Sequence, residues 1–571
     1  MSGLLLPILV ESASADFIGE APAEKDSFLR GYTFEGTSEA QREVQAFVFD
    51  AVKNMGQPPA LSHTGALRLL RVAGGYTDDQ AVGTVAGYDP EKVSLPEPGW
   101  QPIPLSELWG CDGRERVQDF VQHQLLPPDE AQEQVAKLGL NRLYMDPRLK
   151  DRRVYARFLQ RMQASHLVDF SLKKPCEEVS VFFVTKKGDR QRLIIDARKS
   201  NAHFRAPKTV SLSTAESLGS VELEDGESLV VCQADLKDAF YHLELPLQLR
   251  DFFGLPSARA KDVGITAVGG VKIDQDTLVY PRLAVVPMGW SHALYLCQSI
   301  HESLVEQAGL EDGSRLRDRR RAPDSVCVHT QYVDNLIVLG TAASEVQSRF
   351  ASAVQSLKAA GLQVHEVETS TGDSTVLGWE YTSCGIFRPT RKRVWKVRLA
   401  IRELLRRGKA RGEVVERLLG HLTFLSLCRR EALSVFGEIY KFVKAHRQCY
   451  VEVILPKSVR QELLTFDGLL PLLSKDLRSK WAEGLSAVDA SERGLGMTRA
   501  ACSTQDVRRL GGVAERWRFK EALPNPRAAA FNTVNSQCEM LPPTVLGLCG
   551  DEERAHLQQE DPLSRMSIGA G

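Results

Sequence analysis

The sequence has no surplus of either charge: 72 Lys and Arg stand against 73 Asp and Glu, a formal net charge of −1. A protein that grips nucleic acid must then gather its cations locally instead of spreading them over the surface. The 11 cysteines include no Cys-x-x-Cys pair. This argues against a zinc knuckle and a disulfide framework and points to a reducing compartment. No apolar run reaches the roughly 20 residues that span a bilayer. The amino-terminal GLLLPILV, residues 3–10, follows no basic segment, so neither a membrane span nor a secretory signal is expected. The expectation is a soluble intracellular protein of cytoplasm or nucleus. At 571 residues and 43% hydrophobic content, the chain has material for three or four domains.

What is present is a pair of short segments about a hundred residues apart. VCQADLKDAFYHLEL (231–245) carries Asp235 and Asp238, and TQYVDNLIVLG (330–340) carries Asp334. Each sets an aspartate beside an apolar, β-branched run, which is how a carboxylate is held at the exit of a buried strand. Two such strands side by side can share a magnesium ion, and phosphoryl transfer asks a protein mainly for carboxylates that hold metal against the attacking and leaving oxygens.

DLKDAF followed by a strand resembles the first metal-binding motif of reverse transcriptases of the retroviral, LTR- or DIRS-like retrotransposon kind. YVDN resembles their Tyr-x-Asp-Asp hairpin, with Asn335 in place of the last aspartate. Further likenesses occur in the family's order. VSVFFVTKKGDRQRLIIDARKSNAHF (179–204) reads as two strands joined by a Gly-Asp turn and is similar to the fingers hairpin. The likeness implies nucleotide contacts from Lys186, Lys187 and Arg192 and a nucleic-acid contact from Arg198. RLAVVPMGWSHALYLCQSIHE (282–302) resembles the Pro-x-Gly-Trp turn and helix, with Met288 where retroviral enzymes often carry glutamine and Gly289 allowing close backbone approach. STVLGWEY (374–381) resembles the hairpin that grips the primer end.

The resemblance implies an α+β right-hand polymerase: fingers over 146–225, palm over 226–389 and thumb over 390–447. A connection over 448–480, a partial ribonuclease H-like fragment over 481–525 and an irregular tail over 526–571 follow it. Residues 1–145 carry no readable motif; SLPEPGWQPIPLSELWG (94–110) reads as a linker or loop. SRLRDRRRAPD (314–324) reads as a basic, mobile loop. Three apolar stripes at spacings of three and four, Val394 to Leu404, Val415 to Leu425 and Leu433 to Val443, suggest a small helical bundle, with His421 on the second a structural or surface residue and not a ligand. From Ile386 to Arg411 eleven Lys or Arg face the single acid Glu403. Such a run is either a solvated helix face or, beside a polymerase palm, a phosphate-tracking surface using Arg402, Arg406 and Lys409. GLSAVDASERGLGMTRA (484–500) resembles the opening of a ribonuclease H fold, where Asp489 is either the first metal ligand or an ordinary strand-end aspartate.

The resemblance further implies that Asp235 and Asp334 bind Mg2+, with Mn2+ as a substitute and the Leu236 carbonyl as an added ligand. The partners would be an RNA or DNA template with primer and deoxynucleoside triphosphates. Asp238 with Ala239 would lend backbone to the triphosphate pocket, or Asp238 would be a helix N-cap. Phe240 would sit beneath the sugar and exclude a 2′-hydroxyl. Asn335 leaves two readings open. An amide coordinates magnesium through its oxygen but brings no charge, so the chain is either a polymerase that tolerates Asn or a decayed copy that binds nucleic acid without extending it.

Overall fold

The computed structural model describes residues 38–72, 85–109, 112–140, 143–186, 188–318, 320, 322–491 and 494–511. Helices and several small sheets are mixed in an α+β arrangement. The chain divides into two compact units, one drawn from 1–84 and 372–477 and the other from 85–371 and 478–571.

In chain order, the smaller unit contributes α1 (Glu39–Asn54) and α2 (His63–Val72). A capping box starts α1: Ser38 Oγ accepts from the Gln41 N–H while the Gln41 side chain accepts from the Ser38 N–H, closing two donors that the first turn leaves open. In the larger unit, Asp151 caps α3 (Arg152–Ala164) by accepting from the Arg153 and Val154 N–H groups. Its buried Tyr155, Phe158, Leu159 and Met162 recur at helical spacing. β1 (Ser180–Lys186) and β2 (Arg190–Asp196) pair as an antiparallel hairpin with Lys186 opposite Arg190. Gly188 and Asp189 turn it with φ of +73° and +58°.

β3 (Val230–Leu236) leads into a one-turn helix, α4 (Ala239–His242). After α5 (Ala293–Gln307) come β4 (Cys327–Tyr332), β5 (Asn335–Gly340), α6 (Ala343–Ala359) and β6 (Val364–Thr371). These strands make a four-stranded antiparallel sheet in the order β4, β5, β3, β6. With α5 on β4 and α6 on β3 and β5, the inner strand β5 buries a continuous apolar run from Leu336 to Leu339 of the kind found where both faces of a strand are covered, while the edge strand β6 is mostly exposed.

The smaller unit resumes with β7 (Ser374–Val376), β8 (Trp379–Tyr381) and β9 (Ile386–Pro389). Helices α7 (Arg391–Arg407), α8 (Gly412–Ser426), α9 (Glu438–His446) and α10 (Lys457–Leu469) follow. Back in the larger unit, β10 (Leu485–Ser491) and β11 (Gly494–Ala500) form a separate two-stranded ribbon.

Four sequence expectations shift. The boundary after the central sheet falls at 371/372, not at 389/390, because β7 to β9 pair with one another and with Lys475–Asp476. The Pro-rich stretch read as a linker or loop packs into the core, with Leu105, Leu108 and Trp109 buried, as does the segment before it. Tyr88 stacks edge-on against Phe158, and within the Pro-rich stretch Ile103–Pro104 runs parallel to Leu243–Glu244. The third apolar stripe is broken: Arg430–Val435 is a 3-10 turn and Gly437 separates it from α9. The start of the basic loop is anchored, with Arg315 ion-paired to Glu302, Arg317 to Asp312, and Arg315 bridged to His329.

Candidate active site

Asp235 and Asp334 meet at one end of the central sheet. In the register of β3 and β5, Asp235 lies opposite Asn335, and the Leu236 N–H donates to the Asp334 carbonyl at 2.8 Å. The tight turn between β4 and β5 therefore hangs its aspartate directly beside the end of β3. Burial and then the neighbouring charge of Asp334 push the Asp235 carboxyl up to about 7. Burial raises Asp334 as well, opposed by hydrogen bonding and by the charge of Arg192. Two half-buried carboxylates set side by side favour a proton or a cation.

The donor set is hard oxygen, which suits magnesium or manganese. Among the described residues no group of three or more His, Cys, Asp or Glu side chains is disposed to hold a metal. The pair thus offers two carboxylates, and a six-coordinate ion would take its other oxygens from backbone, water and substrate phosphate.

Two side chains already lean on the pair. His365 Nε2 lies 2.7 Å from Asp235 Oδ2, the two residues being register partners across β6 and β3; a bulge with Glu366 at φ +49° follows in β6 between His365 and Glu368. Asn335 Nδ2 donates to Asp334 Oδ1 at 3.0 Å. Neither contact is visible in the motif pattern, since His365 reaches β3 only through sheet pairing.

The turn itself is held from α5. Val333, a β-branched residue, is left-handed at φ +59°, a conformation costing roughly 1–2 kcal/mol. The Val333 N–H donates to Gln298 Oε1 at 2.7 Å and its carbonyl faces His301 Nδ1 at 2.9 Å. Burial pushes His301 down to about 4, so the imidazole is neutral and must carry its proton on Nδ1 to donate to that carbonyl. Cys297 Sγ adds a longer contact at 3.7 Å. Sequence reasoning names the helix but not these residues, which a patterning argument takes for core.

The expected nucleotide-site residues belong to the larger unit. Arg192 on β2 is within electrostatic range of Asp334. Lys186 ends β1, and Lys187 lies outside the described residues. Arg198 is tied to Asp196 at 2.7 Å. Asp238 occupies the position before α4 with φ +54° and makes no side-chain cap, which corrects the N-cap reading in its side-chain part. Ala239 is buried and Phe240 half-buried against the core. Met288 is half-buried, its carbonyl accepting from the Ile195 N–H at 3.4 Å. Gly289 takes φ +125°, and a Cβ there would lie 2.2 Å from the Ile195 carbonyl oxygen, so only glycine fits between turn and hairpin. No family model matches the chain, and no curated protein matches it.

The basic run divides into a buried part and an exposed edge. In α7, Arg393, Lys396 and Arg398 are buried at 2%, 4% and 6% exposure. Arg393 lies over the Phe424 ring at 4.3 Å. Arg398 and Arg402 face the buried Asp467 at 3.6 and 3.5 Å, which takes Arg402 out of any phosphate-tracking surface. Arg406 and Arg407 bind Glu403 at 2.9 and 2.8 Å, the first of these holding its carboxyl well below the usual range. Arg406 and Lys409 remain about 60% exposed, Lys409 beside Glu452 at 3.1 Å. His421 is buried. Asp489 falls in β10, opposite Gly496.

Proposed function

We propose that the chain is a reverse-transcriptase-like nucleotidyltransferase of retroelement type, an RNA-directed DNA polymerase that extends a primer on an RNA or DNA template with deoxynucleoside triphosphates. The observation that carries this reading is the pairing of β3 with β5, which sets Asp235 beside the Asp334 turn and leaves both carboxyls raised. Asp235, Asp334 and the Leu236 carbonyl would hold Mg2+ or Mn2+, which when bound activates a primer 3′-hydroxyl and neutralises triphosphate charge. Arg192, Lys186 and Lys187 would meet the triphosphate from the hairpin. Ala239 with Asp238 would supply backbone beneath it, Phe240 would exclude a 2′-hydroxyl, and Met288 with Gly289 would line the nucleotide. Arg198, Arg406 and Lys409 would contact nucleic acid.

A second reading draws on the contacts of His365 and Asn335, which already occupy an oxygen of each aspartate. On that reading the chain binds nucleic acid without extending it. Primer extension by the full chain on an RNA template, with magnesium and separately with manganese, decides between them. Extension that Asp235→Asn abolishes supports the first; binding of template–primer with no extension under either metal supports the second.

A further inference from the structure

The buried amide of Gln298 makes hydrogen bonds in three directions at the back of the aspartate turn. Its Nε2 donates to Glu302 Oε1 at 2.7 Å and to the Gln331 carbonyl at 3.0 Å, and its Oε1 accepts from the Val333 N–H at 2.7 Å. Glu302 is in turn ion-paired to Arg315. Because a carboxylate and a carbonyl can only accept, both amide hydrogens are committed and the oxygen is left for Val333. The side chain is 1% exposed, so water cannot replace these partners.

We propose that Gln298 is a positioning residue that holds Val333 in its left-handed conformation and thereby aims the Asp334 carboxylate at Asp235. The residue touches neither substrate nor the reacting oxygens. Val333 is β-branched and pays for φ +59° in steric strain, so the turn relaxes when the N–H loses its acceptor. Relaxation at Val333 rotates the peptide that carries Asp334, since the two are adjacent in the turn. The proposal rests on the metal-pair reading for its purpose, though not for its geometry.

The test uses the full chain with two readouts: amide hydrogen exchange at Val333 and Asp334, and Mn2+ binding followed by electron paramagnetic resonance, with Asp334→Asn as the non-binding reference. Gln298→Leu strips the acceptor together with the two donors; in the folded variant, checked by far-UV circular dichroism, it is expected to remove protection at Val333 and weaken Mn2+ by about tenfold or more, as loss of an outer hydrogen bond does at metal sites. Val333→Gly takes the left-handed conformation without a Cβ penalty, so Gln298→Leu with Val333→Gly should regain Mn2+ affinity to within about threefold of Val333→Gly alone. Unchanged Val333 protection in a folded Gln298→Leu chain overturns the proposal. So does a folded double variant that stays as weak as Gln298→Leu. If the parent chain binds no Mn2+ while Val333 protection still depends on Gln298, the metal-pair reading falls and the positioning role stands.

Discussion

Two charged clusters of this protein are built on opposite plans. In the smaller unit, α7 carries Arg393, Lys396, Arg398 and Arg402 into the interior, and the same unit answers with Asp467, Glu403 and the Phe424 ring. In the larger unit, Asp235 and Asp334 are half-buried side by side, and burial with the neighbouring charge lifts the first to about 7. Compensated charge is architecture, because a buried pair that meets its own partners asks nothing of solvent or ligand. Like charges side by side are only partly met here, by His365 at Asp235 and Asn335 at Asp334, and such a pair favours a proton or a cation. The run of eleven cations catches the eye in the sequence, yet the two aspartates a hundred residues apart are where the chain keeps an unmet demand.

The sharpest way to break this contrast is to neutralise one member of the aspartate pair. Asp334→Asn should lower primer extension by roughly 10^4-fold, about 5 kcal/mol of barrier, while thermal stability stays level or rises because a repulsion is removed. Retained extension would take Asp334 out of the chemistry. The matching change in the other cluster should do the reverse. Asp467→Ala leaves Arg398 and Arg402 facing each other without their shared acid, and should destabilise the smaller unit by about 3 kcal/mol in a urea titration. A neutral result would mean that the arginines re-pair without it.

Much of this was open to a reader of the sequence alone. The strand-end aspartates, the β1–β2 hairpin and the apolar stripes of α7 and α8 follow from local patterns, in which neighbouring residues report on one another. The residues that pattern does not reveal act across distance. Gln298 meets Val333 across the α5–β4 connection, His365 meets Asp235 across the β6–β3 pairing, and Arg402 meets Asp467 through helix packing. A buried amide or arginine has no periodic signature, and its partner is fixed only when the fold closes. Residues 85–109 show the same limit, since their extended stretch looks like a linker until Leu243–Glu244 pairs with it.

A smaller effect sharpens the comparison from the other side. Asn335→Asp adds a third carboxylate opposite Asp235 and removes the hydrogen bond to Asp334. Without metal the added repulsion should lower the melting temperature, and with magnesium the order should invert as the ion draws on the new charge. Extension should then rise about tenfold, roughly 1.4 kcal/mol. Melting in EDTA and in magnesium, with extension on the same samples, checks both signs; a variant that stays inert while its melting temperature inverts would place the block on chemistry elsewhere.

The smallest expected effect separates the exposed edge of the basic run from its buried part. Arg406 and Lys409 are about 60% exposed while the Arg402 side chain is only 10% exposed, so only the first two can reach a phosphate without unfolding α7. Replacing either by Gln should reduce the slope of log affinity against log salt for duplex DNA by roughly 0.9, the share of one phosphate contact. Changing both should reduce it by about twice that. Arg402→Gln should instead leave the slope alone and lower stability, because its partner is Asp467 and not the ligand. A slope that falls with Arg402→Gln in a folded protein would place this guanidinium on the nucleic acid and undo the division between the two clusters. Equal slopes for the parent, Arg406→Gln and Lys409→Gln would return the whole run to the interior economy of the smaller unit.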